Sequence, residues 1–486
     1  MTARGLQVAI VLAASLALPA AASAQLPGTP VVPIPGDPLA PGVDPFTGQA
    51  ADPRPAGAPR VPRHPHMAPN GRSNLHNDAY MTDVYRKLEG PLGDGPRGSA
   101  LFARECGSVT FDGQGRIVTI CVGLDRPVLA LLAPRTFEVV AARELPPRRL
   151  GDDPFTDFSG GGYFYLDDRD RAVIPTTTGH VLVIAQTEAP GFTVDRDYDL
   201  TPAVPADDEI ISVLPDWKGR IWFATRNGRV GWVSPETGGV VSRHLGEAIG
   251  NSFAVDRKGV YIVTDGALYR FEARDGRPRT MWRQRYENIG VRKPGQTQAG
   301  SGTTPTLMGR RYVAITDNAD PMNALVLQRR RHARGKRVVC REALFERGAS
   351  ATDQSLIGTR RSVVAENNHG YTGPGSVMGS DTTTPGLQRV TVGRDGRGCR
   401  TVWRSDEIAP SVVPKLAASS GLVVTYTKPP GEAWYLTAID YRTGETVYKR
   451  AAGAGLGFNN NFAPVTIGPD DTAYVGVLGG IARFDD

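Results

Sequence analysis

The sequence has few of the features that mark membrane-spanning, helical or common catalytic proteins. Beyond its first 24 residues, no apolar run is long enough to cross a bilayer, and no long stretch has apolar residues at helical spacing. It contains neither a zinc-spaced set of Cys and His nor a Gly-x-Ser-x-Gly, His-Glu-x-x-His or phosphate-loop motif. These absences exclude a helical bundle and leave the chain without a sharp catalytic signature.

The N-terminus has the pattern of an export signal. Arg4 precedes the apolar stretch 8–18, and Ala22-Ser23-Ala24 forms a cleavage site before Gln25. We expect residues 1–24 to be a signal peptide and the mature protein to be secreted or periplasmic in the cell envelope, without a transmembrane segment. An uncleaved anchor is the alternative interpretation.

A proline-rich segment follows the signal. Residues 25–69 contain 13 prolines and almost no aromatic residue, a composition that cannot bury a core. We therefore predict a disordered linker over 25–69 and a folded domain over 70–486.

Charge gives little support for nucleic-acid binding. The formal net charge is +6 at pH 7, modest for 486 residues. The one dense basic run, 329–337, lies where a hairpin turn is expected and has no interleaved aromatic residues. We expect no nucleic-acid partner.

The chain has only four cysteines, which in an exported protein can form two disulfides. Cys106 and Cys121 are symmetric about the turn 112–116, so they should face each other across one hairpin. Cys340 and Cys399 are then paired by elimination.

A strand-turn-strand unit recurs along the chain, most clearly at 213–223, where Asp-x-x-Gly-Arg joins two apolar strands. Its turns recur at intervals of about 40 to 61 residues, and most units are followed by a second hairpin. The eight turns fall at 112–115, 167–170, 216–219, 256–259, 308–311, 357–360, 418–421 and 468–471. This period predicts an all-β propeller of eight four-stranded blades. Seven blades, two β-sandwiches and a β-solenoid are the alternatives.

The last unit, 461–486, has room for only three strands. We expect the segment 80–88 to supply the fourth, because closing the ring with strands from both chain ends removes its free edges.

Two superfamily-level resemblances cover the repeat from about residue 105 onward. The segment 438–448, with its Asp-x-x-Thr-Gly turn before an aromatic strand, resembles the repeat of quinoprotein-type propellers. The Asp-x-x-Gly hairpins resemble those of gluconolactonase- and paraoxonase-like calcium propellers. In the calcium propellers, Glu, Asn and Asp side chains from several blades converge on one metal ion in the central channel.

Candidate site residues collect on one face of the predicted propeller, and they include Asn251, Asp353 and Asn461 at the expected starts of first strands. The connections from second to third strand and between blades are the long ones, so binding is expected on that face. Hard oxygen donors there make calcium the expected cofactor. The predicted metal ligands are Asp317, Asn318, Asp353, Glu366 and Asn367. The alternative is that these side chains cap the turns at strand ends.

His369 follows Glu366 in the longest of these loops, and we predict these two as catalytic residues. A histidine there could act as general base for a metal-activated water. The alternative is an exposed loop histidine. His76 is a further candidate if the N-terminal strand brings it to the same face.

Three function classes fit these observations. The first is a monomeric binding module for a small molecule or cell-envelope partner. The second is a calcium-dependent hydrolase of lactone or ester type, and the third is a quinoprotein-like dehydrogenase. The sequence does not decide whether the protein is an enzyme.

Overall fold

The computed structural model describes residues 43–123, 126–148, 155–157 and 159–486. The predicted signal peptide and the first part of the predicted linker lie outside these residues. Within the described part of the chain, none of the helices could span a membrane.

The described residues form β-strands and two short 3₁₀ turns, Pro374–Val377 and Leu456–Phe458. Three strands precede the first complete sheet: β1 (Phe46–Gly48), β2 (Val84–Tyr85) and β3 (Arg97–Leu101). Blade 1 contains β4 (Glu105–Phe111), β5 (Ile117–Val122), β6 (Val128–Leu132) and β7 (Val139–Glu144). Blade 2 contains β8 (Tyr165–Leu166), β9 (Ala172–Pro175), β10 (His180–Gln186) and β11 (Phe192–Asp199).

The following blades repeat this order. Blade 3 contains β12 (Ile210–Pro215), β13 (Ile221–Thr225), β14 (Arg229–Val233) and β15 (Val240–His244). Blade 4 contains β16 (Ala254–Asp256), β17 (Gly259–Val263), β18 (Ala267–Arg274) and β19 (Arg277–Arg285). Blade 5 contains β20 (Thr306–Met308), β21 (Tyr312–Thr316), β22 (Asn323–Gln328) and β23 (Val338–Ala343).

The last three blades complete the ring. Blade 6 contains β24 (Ile357–Gly358), β25 (Ser362–Glu366), β26 (Leu387–Val392) and β27 (Cys399–Ser405). Blade 7 contains β28 (Lys415–Ala417), β29 (Leu422–Thr427), β30 (Ala433–Asp440) and β31 (Thr446–Ala454). Blade 8 contains β32 (Val465–Ile467), β33 (Ala473–Val477) and β34 (Gly480–Phe484). The described chain is therefore an eight-bladed propeller of antiparallel sheets, as predicted.

The recurring Asp turn has a common hydrogen-bonding pattern. At the first turn, Asp112 Oδ1 accepts hydrogen bonds from the backbone N–H groups of Gln114 and Arg116, each at 2.9 Å, while Oδ2 accepts from Arg116 Nε at 2.8 Å. Asp167 and Asp216 do the same for their own turns. One carboxylate thus caps the turn and neutralises the arginine four residues later, which explains why the sequence pattern repeats.

The ring closes with a different strand from the one predicted. Strand β3, at 97–101, pairs antiparallel with β34 and is the fourth strand of blade 8. The expected segment 80–88 does not pair with blade 8, because its backbone groups form hydrogen bonds inside the channel. The principle of closure from both chain ends holds, but the choice of strand was wrong.

The N-terminal segment 66–85, which we call the plug, crosses the channel against the first strands of the blades. Its carbonyl groups accept hydrogen bonds from the backbone of four successive blades, at Val255, Leu307, Gly358 and Leu416, over 2.8–2.9 Å. Strand β2 pairs parallel with β28 at the end of this path. All four donor residues of the blades lie beside the tight turns, so the plug seals that end of the channel.

Residues 43–69 differ from the expected disordered linker. Strand β1 pairs with the outer strand of blade 7, and the backbone N–H groups of Arg54 and Ala56 donate to Ser420 and Ala418. Met67 is 1% exposed, inside the core. Proline-rich chain is extended and lacks donors, so it can lie along a sheet edge instead of entering a sheet.

Both predicted disulfides are present. Cys106 and Cys121 are directly paired across β4 and β5, with a Cα–Cα distance of 4.0 Å. Cys340 and Cys399 join the outer strands of blades 5 and 6, with a Cα–Cα distance of 5.6 Å. The first bridge tightens one hairpin and the second ties two neighbouring blades together.

Candidate functional site

A cavity of about 90 Å³ opens on the loop-rich side of the channel, above the plug. This volume has room for roughly six water molecules. It is enclosed by side chains from the plug and from blades 1, 2, 4, 6, 7 and 8. We call it the central cavity and define it by Leu75, His76, Glu105, Ser108, Arg148, Phe155, Asp157, Tyr163, Asn251, Asp353, Gln354, Val413, Asn461 and Phe462.

Its floor rests on a buried charge cluster. His76 Nδ1 lies 3.1 Å from both carboxylate oxygens of Asp83, and Lys415 Nζ forms an ion pair with the same carboxylate. Burial raises the pKa of Asp83, but Lys415 and His76 outweigh burial, so that the pKa is lower than usual. Lys415 Nζ also donates to the carbonyl of Leu75 at 2.5 Å. The cluster thereby fixes the plug under the cavity.

His76 presents its second ring nitrogen without a partner. Burial lowers the pKa of His76, which favours the neutral ring. Because Nδ1 is placed to donate to Asp83, Nε2 is left as an acceptor. Nε2 is buried and has no hydrogen-bond partner among the described residues.

A tyrosine–asparagine pair forms one wall. The Tyr163 hydroxyl donates to Asn251 Oδ1 at 2.9 Å, and the Tyr163 ring stacks near His76, with ring centres 6.4 Å apart. The Nδ2 atom of Asn251 is buried without a partner in the described structure. The wall therefore offers one unused N–H donor.

Two carboxyl groups also line the cavity. Glu105 Oε2 accepts from Asn461 Nδ2 at 3.3 Å, and burial raises the pKa of Glu105 to about 8. Asp353 Oδ2 accepts from the Thr297 hydroxyl at 2.6 Å, while Oδ1 is buried without a partner in the described structure. Burial raises the pKa of Asp353 to about 7. Both groups should therefore change protonation near neutral pH.

A third carboxylate at the cavity is compensated by arginines. Asp157 Oδ1 accepts from Arg226 Nη2 at 2.9 Å, and Asp157 Oδ2 lies 3.8 Å from Arg148 Nη2. Asp157 also accepts hydrogen bonds from the backbone and hydroxyl of Ser159. Its charge thus braces the loop between blades 1 and 2.

Of the five predicted metal ligands, only Asp353 lines the central cavity. Asp317 Oδ1 accepts from the backbone of Ala319 and Asn323 at 3.2 and 2.7 Å, as a turn-capping carboxylate does. Asn318 Nδ2 donates to Asn288 Oδ1 and to the carbonyl of Val291. Asp317 thus shapes the loop between β21 and β22 within blade 5, and Asn318 ties that loop to the loop after blade 4.

The segment 366–369 forms a hydrogen-bonded corner next to Asp353. Asn368 joins the two regions, because its Nδ2 donates to Glu366 Oε1 at 2.8 Å and its Oδ1 accepts from the Asp353 backbone at 2.9 Å. Asn367 Oδ1 accepts from the backbone of Ala351 and His369. Burial raises the pKa of Glu366 well above the usual range.

His369 faces a threonine. Its Nδ1 lies 3.0 Å from the Thr384 hydroxyl, across the base of its own loop. Burial, and then the positive charge of Lys293, lower the pKa of His369. This residue does not line the central cavity, so its predicted catalytic role remains a prediction.

The predicted ligands fit calcium only in part. Three of them keep a buried oxygen without a partner in the described structure: Asn318 Oδ1, Asp353 Oδ1 and Glu366 Oε2. Among the described residues, no three His, Cys, Asp or Glu side chains are grouped to hold a metal ion. Calcium binding therefore stays a prediction.

Sequence reasoning missed Glu105 and Tyr163. Glu105 begins the first strand of blade 1, and Asn251 and Asp353 lie just before the first strands of their own blades. That shared position could have revealed Glu105. Tyr163 follows a glycine-rich stretch and had no comparable signal. Asn251, Asp353, Asn461 and His76 were in the predicted polar set or among the candidates, and the structure places all four at the cavity.

A second cavity, of about 190 Å³, adjoins the first at Phe462. Arg292 and Lys293 line it together with the loop 371–373. Lys293 Nζ donates to the carbonyls of Ala319 and Ser350, and burial lowers its pKa. The second cavity is thus lined by two basic residues, whereas the first has three carboxyl groups and one arginine.

Comparison with known proteins supplies no name for this site. No protein-family model matches the sequence. A protein of Archaeoglobus fulgidus, described as uncharacterized, is 29% identical over 317 residues. The match covers 58% of this chain and 62% of the relative.

Two solved structures are similar to the chain. One is the crystal structure of BamB from Moraxella catarrhalis, with a TM-score of 0.47 and 13% identity over 78% of this chain and 90% of that one. The other is a europium-containing methanol dehydrogenase, with a TM-score of 0.46 and 11% identity over 85% of this chain and 89% of that one. The propeller architecture stands on the strand pairing of the chain itself.

Proposed function

We propose that the protein is an exported propeller that binds a small polar molecule in the central cavity. The observation that carries this proposal is the group of partnerless atoms in residues that line it: His76 Nε2, Asn251 Nδ2 and Asp353 Oδ1. A buried polar atom without a partner costs about 1–3 kcal/mol, so folded proteins keep few of them. Three such atoms occur in residues around one cavity, and a ligand or ordered water that hydrogen-bonds to them would explain why they have no protein partner.

Export is supported by two features of the chain. The N-terminal 24 residues have the pattern of a cleaved signal. The four cysteines form two disulfides, which persist in oxidising compartments. An extracytoplasmic location would expose the cavity to nutrients, metabolites or envelope components.

The experiment compares two aspartate substitutions. Asn251→Asp keeps the acceptor for the Tyr163 hydroxyl and replaces the unused donor with an oxygen. Asn459→Asp is the matched control, because Asn459 also accepts from a tyrosine hydroxyl and has a partnerless Nδ2, yet does not line the cavity. Thermal shift is measured with a panel of small amines, carboxylic acids, sugars and polyols.

We expect at least one class of compound to raise the Tm of the unmodified protein and of Asn459→Asp, but not of Asn251→Asp. Equal shifts in both variants would place the binding site elsewhere. No shift with any compound would remove support for a small-molecule ligand.

A calcium-dependent hydrolase is the second candidate. The partnerless oxygens of Asn318, Asp353 and Glu366 favour it. Melting curves in calcium and in chelator, with metal analysis of the purified protein, test it. Stoichiometric calcium and a lower Tm in chelator would support a metal site, and unchanged melting with no bound metal would reject this mechanism.

A further inference from the structure

The central cavity is lined by three carboxyl groups and one cation, Arg148, so its negative charge exceeds its positive charge once Glu105 and Asp353 ionise. Asp157 is matched by Arg226 and Arg148. Among the described residues, Glu105 and Asp353 form no ion pair, and the hydrogen bonds to their carboxylates come from an amide, a hydroxyl and a backbone N–H. Arg148 lowers the pKa of Glu105, and Arg292 lowers the pKa of Asp353. In both cases burial raises the pKa by more than the arginine lowers it. Two carboxylates thus share one cavity without a direct cation.

Several hydrogen-bond acceptors are available at this cavity. His76 Nε2, Asp353 Oδ1 and the Glu105 carboxylate can accept hydrogen bonds, and Asn251 Nδ2 can donate one. A ligand that satisfies this set must itself donate several hydrogen bonds or carry positive charge.

Aromatic rings line the same cavity. Tyr163, Phe155 and Phe462 contribute to its walls, and the faces of such rings attract cations. A metal ion takes most of its ligands from oxygen, whereas an organic cation uses both carboxylates and ring faces. The mixed lining therefore favours an organic cation.

We propose that the central cavity binds a small organic ammonium ion, held by Glu105 and Asp353 and enclosed by the three aromatic rings. This inference rests on the proposed function, because it names the chemical class of the same ligand. An anion would meet two carboxylates, and a neutral polyol would supply no charge to pair with them. The cavity volume of about 90 Å³ limits the enclosed part of the ligand to about four to eight non-hydrogen atoms.

Calorimetric titration at pH 8.5 tests the proposal, because both carboxyl groups are mostly ionised there. The probes are methylammonium, ethylammonium and tetramethylammonium chlorides. Ethanol and 1-propanol serve as neutral counterparts, acetate as the anion and calcium chloride as the metal. We expect at least one ammonium ion to bind in a saturable way, at least tenfold more tightly than the alcohols and acetate.

Two isosteric variants locate the binding. Asp353→Asn and Glu105→Gln should each weaken ammonium binding at least tenfold. Asp208→Asn is the control: it replaces a buried carboxyl that does not line the cavity and that accepts from the Thr225 hydroxyl and the Asn227 backbone, so affinity should change less than twofold.

The outcomes separate this inference from the proposed function. Alcohols or acetate binding as tightly as ammonium ions, with loss of binding in Asn251→Asp, would overturn the ammonium proposal and keep the cavity as a ligand site. Tight calcium binding that Asp353→Asn abolishes would assign the carboxylates to a metal instead. If no ammonium ion binds, the proposal is wrong. The proposed function fails as well only if the wider thermal-shift panel also finds no ligand that depends on Asn251.

Discussion

The two ends of the propeller channel are built from the same strands but differ in how their polar groups are hydrogen-bonded. At the tight-turn end, the plug gives its carbonyl groups to the first strands of successive blades, and Asp78 accepts from the Tyr80 backbone at 2.8 Å and the Thr82 hydroxyl at 2.5 Å. At the loop-rich end, polar atoms of His76, Asn251 and Asp353 have no partner in the described structure. The tight-turn end is held mainly by hydrogen bonds within the chain, although Asn77 Oδ1 in the plug also has no partner among the described residues, whereas the loop-rich end is the one proposed to bind a ligand.

The largest loss of stability is expected when the plug is removed from the tight-turn end of the channel. Deleting residues 43–85 removes the plug and exposes the inner strand edges of several blades. We expect a loss of more than about 5 kcal/mol, comparable with the whole stability of many domains. Circular dichroism melting and limited proteolysis measure this. Deleting only residues 43–62 should cost much less, and equal melting of the plug deletion and the full chain would contradict the role of the plug.

The charge cluster beneath the cavity gives the next effect. Lys415→Met leaves the Asp83 carboxylate buried without its cation, which should cost about 3–5 kcal/mol. Lys428→Met is the control, because buried Lys428 donates only to backbone carbonyls in a peripheral loop. Urea unfolding compares the two. A smaller loss at Lys415 than at Lys428 would show that the cluster does not anchor the plug.

Removing the two disulfides one at a time should separate effects on stability from effects on ligand binding. Replacing either pair with alanine should cost about 2–4 kcal/mol. Cys106 is next to Glu105, so loss of the Cys106–Cys121 bridge should also weaken ligand binding at the central cavity. Loss of the Cys340–Cys399 bridge, between outer strands, should lower only the Tm. Equal effects on binding would show that the hairpin bridge does not position Glu105.

The smallest effect is a change of stability with pH. Burial raises the pKa values of Glu105 to about 8 and of Asp353 and Asp78 to about 7, so the folded state holds these protons more tightly than the unfolded chain. This contribution is fully present below the ordinary carboxyl pKa and is lost as pH rises through the folded values.

Buried His64, with a pKa lowered to about 3, and His76 act in the opposite direction, but only below about pH 6.5. Tm should therefore fall from pH 6.5 to 8.5, and Glu105→Gln should reduce the fall by an amount on the order of 2 °C. The exposed Glu188→Gln serves as control. A Tm that rises over this interval, or an unchanged slope in Glu105→Gln, would contradict the buried-carboxyl explanation.

Local patterns were sufficient for the blades but not for the closure. The recurring turns, three of them Asp-x-x-Gly, placed all eight first hairpins, since a turn is decided by residues within a few positions of each other. The closing strand was misassigned because 80–88 and 97–101 are both short segments before the first blade. Only the competition for a free edge distinguishes them: β3 meets β34, while the plug meets the first strands.

The residue types at the candidate site could be predicted from the sequence, but the particular residues that line the cavity could not. Side chains at the starts of first strands were expected to converge, and Asn251 and Asp353 do line one cavity. Asp317 and Asn367 have the same residue chemistry and the same loop-rich face, yet they hydrogen-bond to the backbone of their own or neighbouring loops. Residue type could not separate a loop-bracing amide from a cavity amide, because that depends on which way each loop folds.

Turn chemistry and spacing along the chain are enough to predict the repeat, the eight-bladed arrangement over its alternatives and the pairing of Cys106 with Cys121. The tertiary structure decided the path of residues 43–101, the burial of Asp83 with Lys415 and the set of groups around the cavity. Asp83 and Lys415 are 332 residues apart. Closing the ring is what brings such distant positions together, and no local pattern records that distance.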